Sequence, residues 1–163
     1  MKVFIIGLAV VIVCTYFIVF QQDYNLNQLE NMEVKFVAEE AAAAAAQYYD
    51  KLSFSNGIYK LNPIEGTKAA EYIIKKDLKL NDDFTPIADT YWTDRITYTI
   101  EYFDDTNTTY PLEYNNASIS YTDTVVAPTV IVTINCGRAK YRVPYIINTQ
   151  QNIRAAAHEF KPR

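Results

Sequence analysis

Glycine is scarce in this chain, with four in 163 residues, and none stands between Gly7 and Gly57. No proline precedes Pro63. The first third therefore lacks the two residues that most readily interrupt a helix. Histidine occurs once, as His158. Triads and zinc sites need convergent partners, so a single imidazole near the C-terminal end reads as a surface residue. Cysteine occurs twice, Cys14 inside an apolar run and Cys136 inside a predicted strand. With Cys14 in lipid, the two Cα atoms cannot come within the ~7 Å a disulfide needs. Both then read as small buried hydrophobes, with no disulfide framework. Basic excess is missing too: the net charge is -4, which argues against a nucleic-acid binder. No glycine-rich loop of the phosphate-cradling kind is present.

The polar groups that remain offer little chemistry. Asp82-Asp83 and Asp104-Asp105 are adjacent carboxylates without the spaced oxygen ligands of a calcium loop, so they read as solvated turns. Asn107–Thr109 and Asn116–Ser118 fit the glycosylation tripeptide, which is common by chance and matters only in a glycosylating host. Many of the 14 tyrosines alternate within predicted strands, where tyrosine is a favoured residue. The expectation is a chain with no catalytic site, no cofactor and no metal.

What the sequence has in abundance is an apolar start. Val3 to Phe20 contains no charge. As a helix it rises about 1.5 Å per residue and covers about 27 Å, close to the hydrocarbon thickness of a bilayer. No small-x-small pair precedes Gln21, where a signal peptidase would need one, so the run reads as a retained anchor. Lys2 precedes it, whereas Asp23, Glu30, Glu33, Glu39 and Glu40 follow it against Lys35 alone. That asymmetry predicts a single-pass chain, N-terminus inside and C-terminus outside.

The helix is not expected to stop at the membrane. Val34, Val37, Ala38, Ala41, Ala45, Tyr48 and Leu52 recur at three- and four-residue spacing and form one apolar stripe. The six alanines from Ala41 to Ala46 favour helix and also keep it thin enough for another element to pack close. Ser55-Asn56-Gly57 ends the pattern. One helix of about 50 residues, about 75 Å long, is predicted. It divides into a transmembrane part (residues 1–20) and an amphipathic continuation (21–55), followed by an outer domain (56–163).

In that outer domain Asn62-Pro63 predicts the start of a short helix. Ala70, Ile73, Ile74 and Leu78 would line its inner face, and Lys75, Lys76 and Lys79 the other. Asn81 to Asp94 reads as loop. Strands are predicted over Ile96 to Phe103, Tyr110 to Tyr114, Ser118 to Val126, and Val130 to Cys136. Asn135 to Arg138 suggests a tight hairpin leading into a last strand from Ala139 to Ile147, with Pro144 marking an edge or an early end. Gln150 to Phe160 reads as a closing helical turn carrying His158. The fold class is α+β: a long N-terminal helix, first transmembrane and then amphipathic, packed with the short one on a C-terminal antiparallel sheet covered on one side.

This architecture resembles type IV pilins and the pseudopilins of related secretion systems. Such chains are usually cut after a glycine, with a glutamate five residues into the mature protein. Here Gly7 is followed by Leu8 to Ile12 and that glutamate is missing. The resemblance therefore implies either a chain already processed or a divergent branch, such as TadE-like subunits with a simple anchor and a β-rich end. It implies a structural subunit of an extracellular filament, with the membrane, assembly-machinery proteins and further copies of itself as partners. Copies would assemble as a helical homopolymer through Val3, Phe4, Ile5, Leu8, Val11, Ile12, Cys14, Tyr16, Phe17 and Phe20. A single-pass protein whose outer domain binds a partner is the alternative, and an anchored enzyme is the weakest of the three.

Overall fold

The computed structural model describes residues 2–142 and 151–160. The breaker-free N-terminal third is one helix, α1 (Lys2–Ala46), of 45 residues and about 67 Å. It ends nine residues short of the predicted boundary at residue 55, because Asp50 starts a new helix. The Asp50 carboxylate accepts from Leu52 N at 2.9 Å and Ser53 N at 3.4 Å, capping α2 (Lys51–Ser55). Between the two helices Tyr49 pairs with Leu61 in an isolated antiparallel bridge, flanked by Asn62 N to Tyr48 O at 2.9 Å and Asp50 N to Lys60 O at 2.8 Å. Ser55-Asn56-Gly57 does end a helix, but it is α2. There Gly57 takes φ +78° and Ile58 N returns to Ser53 O at 3.0 Å.

The second main helix, α3 (Pro63–Asp77), begins as its sequence predicts. Pro63 needs no intrahelical donor at the first position, and Asn62 Oδ1 accepts from Glu65 N at 3.3 Å. Ala70, Ile74 and Leu78 are buried and Ile73 packs beside them. The alanine run of α1 lets α3 approach closely. Ala41, Ala42, Ala45 and Ala46 are all buried. At the crossing, a Cβ on Gly66 would sit 3.0 Å from Ala45 O and 2.9 Å from Tyr102 Oη.

The sheet is antiparallel, in the order β1 (Thr97–Phe103), β4 (Thr129–Arg138), β5 (Gln151–Glu159). A separate hairpin joins β2 (Leu112–Asn116) to β3 (Tyr121–Val125). Alternation along β4 sends Val130, Val132, Ile134 and Cys136 into one core with the buried stripe of α1, Ala70 and Ile74 of α3, and Ala156 of β5. Tyr98, Ile100 and Tyr102 of β1 close that core at the side. Across the other face the hairpin folds over β1. The Tyr114 ring lies 5.7 Å from that of Phe103, and the Tyr114 hydroxyl donates to Glu101. This is the α+β arrangement the hydrophobic pattern predicts.

Three expectations near the C-terminal end are corrected. Asn135 to Arg138 is not a hairpin. Strand β4 runs on to Arg138, and the pairing with β5 shifts register between Asn135 and Arg138. Gly137 takes φ +76° in this irregularity and Asn135 Oδ1 accepts its N–H at 2.9 Å. Likewise Gln151–Glu159 is a strand rather than a helical turn. The helix preference of Ala155 to Ala157 yields to a full hydrogen-bonded ladder along β4, and small side chains let α1 lie close against β5. Of the last predicted strand, residues 139–142 are not in a strand, and residues 143–150 lie outside the described residues.

Candidate functional site

Helix α1 is two objects in sequence. From Lys2 to Ile18 every residue is exposed. This places Val3, Phe4, Ile5, Leu8, Val11, Ile12, Cys14, Tyr16 and Phe17 on a bare apolar rod, with Phe20 half-buried where the head begins. The Thr15 hydroxyl donates back to Val11 O at 2.9 Å and so carries no unmet hydrogen bond into an apolar setting. Among the described residues there is thus one helix long and apolar enough to cross a membrane, near the N-terminus.

Beyond Phe20 the head-facing side of α1 opens on polar residues. Asp23, Asn27 and Asn31 are buried at four-residue spacing, on the line that continues as Val34, Val37, Ala38, Ala41 and Ala45. Each polar member has a partner far along the chain. Asp23 Oδ1 and Oδ2 accept from Arg142 Nε and backbone N, both at 2.7 Å. Asn27 Oδ1 accepts from the Tyr91 hydroxyl at 3.2 Å. Asn31 Nδ2 donates to Asn27 O and to Asn152 Oδ1, both at 2.8 Å, and Asn152 Nδ2 passes the chain of bonds to Gly137 O at 3.1 Å. Burial pushes the Tyr91 hydroxyl up to about 12, with Tyr141, Glu30 and Asp23 adding to the shift, so it stays a donor. Sequence patterning did not single out this seam. The signal was there, in three short polar side chains on one helical line. The other two members of the predicted stripe, Tyr48 and Leu52, fall past the end of α1 and are exposed.

The side of α1 turned away from the head is apolar as well. Leu29, Met32 and Phe36 are 59%, 50% and 65% exposed, with Leu26 beside them. At 100° per residue they lie opposite the Asn27–Val34–Ala38 line and in line with the bare rod. Leu29 and Phe36 stand about 14 and 24 Å beyond Phe20, whereas the headgroup layer of one leaflet is only about 5–7 Å deep. An upright helix would carry this ridge clear of any lipid.

Elsewhere the head offers a cleft of about 460 Å³ between α1 and the loop after α3. Its wall includes Glu30, Glu33, Asp77, Lys79, Asp89 and Trp92. Burial raises the Glu30 carboxyl, Glu33 raises it further and Lys79 opposes. Among the described residues no three His, Cys, Asp or Glu side chains converge as a metal site. The two acidic pairs have local structural roles. Asp104, buried, accepts from Leu61 N at 3.0 Å, Thr106 N at 2.9 Å and Thr106 Oγ1 at 2.6 Å. Asp105 Oδ2 takes Tyr59 N at 2.8 Å, and Asp83 Oδ1 takes Thr85 N and Oγ1. His158 is exposed on β5, Cys14 is a free exposed thiol and Cys136 a free buried one. Asn107 is exposed but its amide is engaged, donating to Tyr102 O and accepting from Asp104 N.

No protein-family model, curated protein or solved structure matches this chain. Its long apolar N-terminal helix packed on an antiparallel sheet is compatible with pilin architecture.

Proposed function

We propose that the chain is a non-enzymatic structural subunit of a pilus-like extracellular filament, assembled through α1 after insertion as a single-pass membrane protein, N-terminus inside. The observation that carries this reading is the ridge of Leu29, Met32 and Phe36. A tether needs apolar surface only where lipid meets it. Here exposed apolar surface resumes beyond the polar residues Gln21, Gln22 and Asn25 and reaches Phe36, about 24 Å past the span, on the side the head leaves open. An exposed apolar ridge beyond the reach of lipid calls for a protein partner, and a second α1 offers apolar surface to meet it. Where the ridge of one copy seats on a different stretch of the next copy's α1, such as its apolar N-terminal half, the contact is head-to-tail, and where its rotation does not close it gives a fibre. The bare half-helices would leave lipid by burying against one another, their backbone groups already paired within each helix. Tyr16 and Cys14 would then touch neighbouring copies, with assembly-machinery proteins drawing the subunits out of the membrane.

Negative-stain microscopy of cells with and without the gene, joined to oxidative cross-linking at Cys14, tests it. Filaments that vanish with the gene, together with Cys14-linked dimers, are expected. Unchanged filaments and no dimers would reject the major-subunit form. The acidic cleft beside Trp92 favours a second reading, a membrane-anchored interaction module. That reading predicts a bound partner in detergent extracts and chains too far apart to link at Cys14.

A further inference from the structure

The foot of the head domain meets α1 at the height where a bilayer ends. The Tyr141 ring lies 6.0 Å from that of Phe20, the last residue of the uncharged run, and Tyr24 lies 6.5 Å from Phe20 on the same helix. Asp23 is three residues further, about 4.5 Å up the helix, within a headgroup layer about 5–7 Å deep. Asp23 is 2% exposed, yet the Arg142 side chain it holds is 63% exposed. Its carboxylate takes Arg142 Nε and the Arg142 backbone N–H. The four remaining guanidinium N–H groups have only one long bond among the described residues, Nη2 to Gln22 Oε1 at 3.3 Å. Lys140, two residues away, is exposed, and no carboxylate among the described residues forms an ion pair with it.

We propose that Arg142 and Lys140 form a headgroup site for anionic lipid at the point where α1 enters the bilayer. The chemistry suits a lipid phosphate. A guanidinium fixed along one edge by a buried carboxylate presents its other edge already oriented, and a bidentate bond to phosphate is what that edge fits. Lys140 adds a mobile point charge next to it. Tyr24 and Tyr141 supply aromatic rings with polar tips, the side chains favoured at the boundary between hydrocarbon and headgroups. The Asp23–Arg142 pair alone is neutral, so Lys140 sets the preference for anionic over zwitterionic lipid. A site here would hold the head upright on the membrane before assembly and be given up on extraction.

The inference rests on Val3–Phe20 spanning the bilayer, and the test separates the two. Full-length chain is reconstituted in phosphatidylcholine vesicles with increasing phosphatidylglycerol. A fluorophore is placed at position 139 (Ala139→Cys in a Cys14→Ser background) and read against lipids carrying a nitroxide on the headgroup. Quenching that rises with phosphatidylglycerol and falls with salt is expected. Lys140→Glu, which leaves the Asp23–Arg142 pair intact, should raise the half-maximal phosphatidylglycerol fraction by at least about fivefold, the effect of losing one surface cation, with the new carboxylate adding repulsion. Quenching independent of phosphatidylglycerol and of Lys140→Glu would overturn the site. In parallel, the wild-type chain labelled at Cys14 is read against acyl-chain nitroxides. Quenching there with no lipid dependence at 139 defeats the headgroup site alone, and no quenching at Cys14 defeats the span as well.

Discussion

Asn31 is the joint between the long helix and the far edge of the sheet, and replacing it with aspartate attacks that joint without changing its size. In the native chain Asn31 Nδ2 donates to Asn27 O and Asn152 Oδ1, both at 2.8 Å, at a site only 3% exposed. Asn31→Asp removes both donors. The loss of two bonds costs about 1 kcal/mol each. The new carboxylate would also be buried facing three oxygen acceptors, Asn27 O, Asn27 Oδ1 and Asn152 Oδ1. Together these put the destabilisation at about 3–5 kcal/mol at neutral pH, the scale of an uncompensated buried charge. Protonation relieves it, so the carboxyl introduced at position 31 has a folded-state pKa raised above the ordinary ~3.9. The native state of the variant then holds a proton that the unfolded state has released, so its stability falls as pH rises. Below about pH 4 the deficit against wild type should shrink to about 1–2 kcal/mol, since a protonated carboxyl can donate one of the lost bonds. It should grow as pH rises through the raised pKa.

Trp92, the only tryptophan, is buried in the head and reports the transition. Urea unfolding of the full chain in mild detergent, followed by its fluorescence from pH 4 to 7.5, gives the midpoint at each pH. Asn31→Leu is the control, since it removes the same donors without a charge and should show no pH dependence. A deficit for Asn31→Asp below about 1 kcal/mol at pH 7, or one flat with pH, would refute the argument that this seam is dry and closed.

Three other outcomes follow from local geometry. Gly137→Ala should lower head stability by about 2 kcal/mol in the same urea assay, because φ +76° disfavours any Cβ and this one would sit 2.5 Å from Asp94 Oδ2. Asp104→Ala should cost about 2–3 kcal/mol by stranding the Leu61 and Thr106 N–H groups, with the Trp92 midpoint shifting and its slope unchanged. Burial pushes the Cys136 thiol up to about 12, so in detergent a maleimide should add once to the folded chain, at Cys14, and a second time only in urea, as read by intact mass.

Much of the fold was legible because local chemistry and global packing agree. Asn62-Pro63 capped a helix as written, and the alternation from Ile96 to Phe103 and from Val130 to Cys136 pointed to the two strands that build the core. Three features were not legible, each for its own reason. The end of α1 is set by Asp50 capping a second helix, and a continuous run of good helix formers hides such a competition. Strand β5 carries three successive alanines whose own preference is helical, and only the waiting edge of β4 makes them a strand. The seam of Asp23, Asn27 and Asn31 resembles a solvated helix face until its partners are known, and Arg142 and Asn152 lie more than a hundred residues away. The ridge of Leu29, Met32 and Phe36 becomes informative only once the opposite side of α1 is known to be the buried one.

The central claim is that this ridge meets another copy of the same helix. A photo-cross-linking amino acid at position 36, irradiated in intact cells, tests it most directly. The account predicts an adduct of twice the chain mass in which mass spectrometry finds two copies joined through α1, and its loss when Leu29→Lys is added. Irradiation that yields only single chains, or adducts to lipid or to an unrelated protein in place of a second copy, would contradict it.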